Sequence, residues 1–144
     1  MKASQVMTRE VRCVLPDTSL AEAWRLMHAH GIRHLPVVLE GRLVGVVSDR
    51  DFLGHVDRVA GGALIFSDLP VGRIMSTAPV VAVHGAPVSE LARTMLNHGI
   101  DSLPVVAEGG VLVGLVTSTD LLVLLLEVAE PLSVTYRIRA EATA

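Results

Sequence analysis

The sequence predicts an α/β (α+β) fold made of two like halves, each running strand, helix, strand, strand, helix, and three observations predict it. The segment Gly31-Ile32-Arg33-His34-Leu35-Pro36-Val37-Val38 returns 68 residues later as Gly99-Ile100-Asp101-Ser102-Leu103-Pro104-Val105-Val106. Before each copy lies an apolar stripe at helical spacing, and after each come two aliphatic runs around a glycine turn. A repeat of this period is one supersecondary unit used twice. The 68-residue register carries Met7 onto Met75, Glu22 onto Glu90 and Met27 onto Met95. It slips to 69 where Glu108-Gly109-Gly110 replaces Glu40-Gly41, so that Gly45 meets Gly114 and Asp51 meets Asp120. Half of 144 residues buries too little surface to stand alone, so the halves are expected to share one core.

Each element follows in order. Extended segments open the copies at residues 11–15 and 80–83. After Asp17, Ser19-Leu20-Ala21-Glu22 fits a capping box, and Leu20, Ala23, Trp24 and Met27 then fall on one helical face until Gly31 stops the run. The second copy repeats this with Val88, Leu91, Ala92 and Met95, opened by Pro87 and stopped by Gly99. Hairpins are expected from residues 35–39 with 42–47 and from 103–107 with 111–116. A second helix follows each hairpin, that of the first copy being broken by Gly61-Gly62. The helix over residues 119–130 is apolar nearly all round, at Leu121, Leu122, Val123, Leu124, Leu125 and Leu126, and needs covering on more than one side. These elements divide the chain into repeats over 1–60 and 74–130, a connector over 61–73 and a tail over 131–144. The tail starts strand-like at Ser133-Val134-Thr135-Tyr136 and is expected to end in disorder.

Composition narrows the function. Half the residues are apolar (51%) and mean hydropathy is positive, yet the longest uninterrupted apolar run, Leu121 to Leu126, is far short of a membrane span. The N-terminus lacks the order of a signal peptide and Cys13 is the only cysteine, which points to a reducing cytoplasm. Charge is unevenly spread: residues 1–53 carry seven Lys and Arg against six acids, residues 74–130 only Arg93 against six. Anions are therefore expected to prefer the first repeat. No basic stripe is interleaved with aromatics, which argues against nucleic acid as a partner. His28, His30 and His34 resemble a metal cluster, but residues 28 and 30 point apart on a helix and no acid or thiol completes the set. Cys13 reads as a small core residue without a paired base. No nucleophile, base and orienting group appear together, so an enzyme is not expected.

The candidate chemistry lies where both hairpins end in one phrase, Gly45-Val46-Val47-Ser48-Asp49-Arg50-Asp51 and Gly114-Leu115-Val116-Thr117-Ser118-Thr119-Asp120. A strand glycine leaves room for a close approach to the backbone, and the hydroxyl residue opens a helix whose free N–H groups favour an anion. An acid one turn in suits the two hydroxyls of a ribose. Ser-x-x-Asp and Thr-x-x-Asp are also ordinary helix caps, and either copy alone favours the cap. Two copies at matched positions favour a ligand site.

Taken together, Met-Thr/Ser, Gly-Ile-x-x-Leu-Pro-Val-Val and Gly-h-h-Ser/Thr-x-x-Asp, each present twice over roughly residues 3–127, resemble a tandem pair of CBS (cystathionine β-synthase) domains, or Bateman module. The resemblance implies repeats packed as a pseudo-twofold pair, with an adenosine-containing ligand such as AMP, ADP, ATP, S-adenosylmethionine or NAD in the clefts between them. It implies no cofactor beyond that ligand. Ser48, Asp51, Thr117 and Asp120 fall where the family contacts ribose and phosphate. Val11, Arg12 and Cys13 with Val80 and Val81, together with Ile32, Leu35, Pro36, Ile100, Leu103 and Pro104, fall where it holds base and phosphates. Arg33, His34 and Arg50 match positions that reach phosphate in the family, whereas the second copy has Asp101, Ser102 and Thr119. Phosphorylated ligand is accordingly expected in the cleft built on Ser48 and Asp51. The resemblance further implies a regulatory homodimer that passes ligand occupancy to a regulated protein. The alternative is a ligand-free interaction module of the same fold.

Overall fold

The computed structural model describes residues 1–129. Helix α1 (Ala3–Val6) comes first, and α2 (Leu20–His30) begins where Ser19 Oγ accepts the Glu22 N–H at 3.2 Å. The reciprocal half of the expected capping box is absent. Glu22 turns its carboxylate to Arg25 instead, at 2.6 and 2.9 Å, and those hydrogen bonds hold its carboxyl below the usual carboxylate range. Gly31 ends the helix in the left-handed region at φ 61°, which its missing Cβ permits. Leu20, Ala23 and Met27 are buried as the spacing predicts, and half-buried Trp24 stacks its edge on Phe52, centroids 5.2 Å apart.

Strands β1 (His34–Leu39) and β2 (Arg42–Ser48) then pair antiparallel, with a bulge between Val37 and Val38. The second half repeats the pattern in β5 (Ala82–Val83), α3 (Val88–His98), β6 (Ser102–Val106) and β7 (Leu112–Thr117), with the bulge again at the matching place, between Val105 and Val106. Its helix starts after Pro87 and stops at Gly99, also at φ 61°. The opening strands are shorter than expected. The first is a single parallel bridge from Val14 to Val37, and the second is the two residues of β5 on β6. Turns cut both short, with Thr18 N–H donating to the Leu15 carbonyl and Ala86 N–H to that of Val83.

The halves part company after their hairpins. Helix α4 (Ser118–Val128) follows β7, but β2 leads only into one 3-10 turn, Asp49–Phe52. The expected second helix of the first copy does not form, because Phe52 is fully buried among Trp24 and Phe66 and pulls the chain inward. A small hairpin takes its place: β3 (Val56–Arg58) and β4 (Leu64–Phe66). Gly61 and Gly62, at φ 90° and 82°, lie between its strands rather than breaking a helix.

Two hydrophobic clusters replace the single core expected. One gathers Leu20, Met27, Leu35, Val37, Val47 and Phe52, the other Leu91, Met95, Leu103, Val105 and Val116. What joins them is an exchange of opening segments. Ala3 is buried in the second cluster, its N–H bonded to the Ala86 carbonyl at 2.8 Å, and Thr8 pairs with Leu115. Val71 is buried in the first cluster, and Ser76 pairs with Val46. The room left by the strand glycines is therefore not ligand space: a Cβ on Gly45 would meet Met75, and one on Gly114 would meet Met7. Among the described residues, no helix is long and apolar enough to cross a membrane. The tail expected to start strand-like lies outside the described residues.

Candidate functional site

Three spaces lie between the halves, each walled by both, and two of them are clefts built on a repeated aspartate. The larger, about 470 Å³, has the α4 N-terminus on one side, with Thr117, Thr119 and Asp120. Val11, Arg12, Ile32 and Arg33 of the first half line the same cleft. The smaller, about 280 Å³, sets Ser48 and Asp51 beside Val80, Ile100, Ser102 and Pro104 of the second half. A cavity of about 560 Å³ connects their neighbourhoods and is lined by Arg33, His34, Arg50 and Asp101. His34 borders all three.

Each aspartate is fixed by its own helix start. Asp120 Oδ2 accepts the Thr117 N–H at 2.7 Å and its hydroxyl at 3.0 Å, while the Asp120 N–H donates back to Thr117 Oγ1 at 3.3 Å. Asp51 Oδ2 accepts the Ser48 N–H at 2.8 Å. The cap reading is thus correct for both, and it does not compete with binding. Among the described residues Oδ1 of each carboxylate has no hydrogen-bond partner, so the cap orients the group and leaves one oxygen for the cleft.

The charged side chains are grouped differently from the expectation. Arg12 and Arg33 line the cleft of Thr117, Thr119 and Asp120, while Arg33 and Arg50 share the connecting cavity with Ser48. The backbone explains the crossing. Arg33 stays with its own half through its carbonyl, which accepts the Asp49 N–H at 3.0 Å, while its side chain reaches across to Asp101 Oδ2 at 3.2 Å. His34 Nε2 stands 3.5 Å from the other oxygen of Asp101. The larger cleft consequently holds both signs of charge, with Glu10, Asp101 and Asp120 facing Arg12 and Arg33. The Ser48–Asp51 cleft is itself bordered by His34 and by no arginine.

Leu35, Pro36 and Leu103 are core side chains bordering none of these spaces. Val81 is exposed and borders none of them, and Cys13 likewise sits at the surface instead of in the core. Among the described residues no three His, Cys, Asp or Glu side chains gather as metal ligands. Thr8 and Ser76, missed by the site reading, line the larger and smaller cleft respectively. Their signal was present in the doubled Met-Thr/Met-Ser pair, each hydroxyl following the methionine that packs on a strand glycine.

The CBS domain family matches residues 3–58 and 71–127. An inosine-5'-monophosphate dehydrogenase of Korarchaeum cryptofilum is 38% identical over 119 residues, 83% of this chain but only 23% of that enzyme. Among solved structures, CBSX2 in complex with AMP superposes with a TM-score of 0.80 at 27% identity, covering 90% of this chain and 99% of that one. The CBS domain pair of protein MJ0100, in complex with 5'-methylthioadenosine and S-adenosyl-L-methionine, gives 0.73 at 26%, covering 88% and 97%.

Proposed function

The chain belongs to the CBS domain family, and from that premise we propose that it is a non-catalytic regulatory module whose larger cleft binds an adenosine-containing small molecule. The observation that carries the reading is the Thr117–Asp120 cap. It presents a fixed carboxylate oxygen at a helix N-terminus, in a cleft of 470 Å³ walled by the opposite repeat. That volume lies within the range of small-molecule sites. Asp120 Oδ1 suits a ribose hydroxyl, Val11 and Ile32 offer apolar wall for a base, and Arg12 and Arg33 are the cations within reach of a phosphate. AMP, 5'-methylthioadenosine and S-adenosyl-L-methionine in the related pairs support an adenosyl group. Since the cleft is walled by both halves, occupancy favours one relative placement of them, and a partner protein that prefers that placement is thereby informed.

A homodimer completes the proposal. Leu122, Leu125, Leu126 and Val128 of α4 are 58–78% exposed, a run of apolar surface that a second copy would cover. The ligand-free interaction module draws on the same helix. Thermal unfolding with AMP, ATP, S-adenosylmethionine and NAD separates the readings, because a ligand at 100 times its dissociation constant adds about 2.7 kcal/mol to stability. A raised midpoint with at least one of the four is expected. No shift with any of them favours the ligand-free module.

A further inference from the structure

Among the described residues, the ion contacts that cross from one repeat to the other all converge on Asp101. Arg33 Nη2 lies 3.2 Å from its Oδ2 and His34 Nε2 lies 3.5 Å from its Oδ1. The one other ion pair among the described residues, Arg25 with Glu22, stays within one helix. Arg33 and Asp101 both border the larger cleft, so the cation best placed to receive an anionic ligand group is already held by an internal carboxylate. Arg12, in the same cleft, has no such partner among the described residues. The Arg33 and Asp101 side chains are 69% and 45% exposed, which leaves their contact solvated and cheap to break.

We propose that Asp101 is a specificity-determining residue: it acts as a built-in counter-ion to Arg33, competes with the phosphate of a bound nucleotide, and so sets the larger cleft's preference between adenosine and phosphorylated adenosine. The inference rests on the proposed function, that this cleft takes an adenosyl ligand. A phosphate that claims Arg33 must first displace Asp101, whereas unphosphorylated adenosine leaves the pair intact. Binding of the charged ligand thus carries a cost that neutral ligand escapes. It also breaks the direct Arg33 link between the two repeats, and the break distinguishes nucleotide from nucleoside at the level of their relative placement.

The test is calorimetric titration of the full chain with AMP and with adenosine, read as the ratio of the two affinities. Asp101→Asn and Asp101→Ala are each expected to raise the AMP-to-adenosine ratio by about twofold to fivefold, the range an exposed ion pair represents. Arg33→Ala lowers the ratio, and in that background the Asp101 substitutions no longer raise it, whereas in an Arg12→Ala background they still do. Adenosine binding with an unmoved or lowered ratio in both Asp101 variants overturns the inference and leaves the proposed function standing. An equal gain with Arg33 absent also overturns it, since removal of a negative charge alone then accounts for the effect. Failure of wild-type protein to bind either compound overturns the inference, and the proposed function falls with it only where ATP, S-adenosylmethionine and NAD also leave the thermal midpoint unmoved.

Discussion

Arg33 and Asp101 occupy the same position in the two repeats, and their side chains meet at 3.2 Å. Equivalent residues touch only where a pseudo-twofold axis passes between them, so this pair marks the axis. Two arginines there would repel, and two aspartates would do the same. Opposite charges turn a symmetric backbone into an asymmetric site, and the two clefts can no longer be equivalent.

That asymmetry makes Asp120 more consequential for the ligand than Asp51. Asp120→Asn is expected to weaken adenosyl-ligand affinity by about tenfold or more, the scale of a hydrogen bond to a charged group. Its effect on stability is about 1 kcal/mol, the scale of a lost cap contribution. Asp51→Asn costs stability to a similar extent with less effect on affinity. Calorimetry beside urea unfolding reads both quantities, and a larger affinity loss in the Asp51 variant contradicts the choice of cleft.

The strand glycines give a second prediction, about packing. At Gly45 an added Cβ would stand 2.7 Å from the backbone oxygen of Ser76, which is held by its pairing with Val46. At Gly114 the three nearest atoms all belong to the Met7 side chain. Both alanine variants overpack and lose about 1–3 kcal/mol, with Gly45→Ala the costlier. Shortening Met7 in a Gly114→Ala/Met7→Ala double variant recovers part of the loss, whereas Met75→Ala rescues Gly45→Ala less. Denaturant midpoints measure the series.

Helix α4 supplies the third. Leu125 and Leu126 are 58% and 78% exposed, so a charge at either position does not disturb the interior. Leu125→Asp/Leu126→Asp is expected to sediment as a folded monomer at concentrations where the parent chain is dimeric, and to lose the concentration dependence of its thermal midpoint. A parent chain that sediments only as monomer at micromolar concentration contradicts the dimer.

Much of this architecture was legible before any coordinates. The glycines at 31 and 99 both take the left-handed conformation that ends a helix, and the aliphatic runs pair as read because alternate residues must share one face. What a repeat cannot reveal is which half an equivalent segment packs against. Thr8 and Ser76 align with each other, yet each lies on the other repeat's sheet, and the grouping of Arg33 with Asp120 follows from the same crossing. The missing helix has its signal in the aromatic residues. The chain's only tryptophan and only two phenylalanines, Trp24, Phe52 and Phe66, form one cluster. Where Thr119-Asp120 runs on into leucines, Phe52 is followed by Leu53-Gly54-His55, a poor sequence for continuing a helix.

The exchanged opening segments bear on how the chain comes apart. Ala3 seals the cluster that Leu91 and Leu103 build, and Val71 seals the one built by Leu20 and Leu35. Neither cluster is closed by its own stretch of sequence, so melting one strips a buried residue from the other. Two cores that in separate proteins would denature independently are expected here to unfold in a single all-or-none transition. A nick at Gly61-Gly62 would yield two fragments, each carrying the stopper for its neighbour, which regain structure only by finding one another.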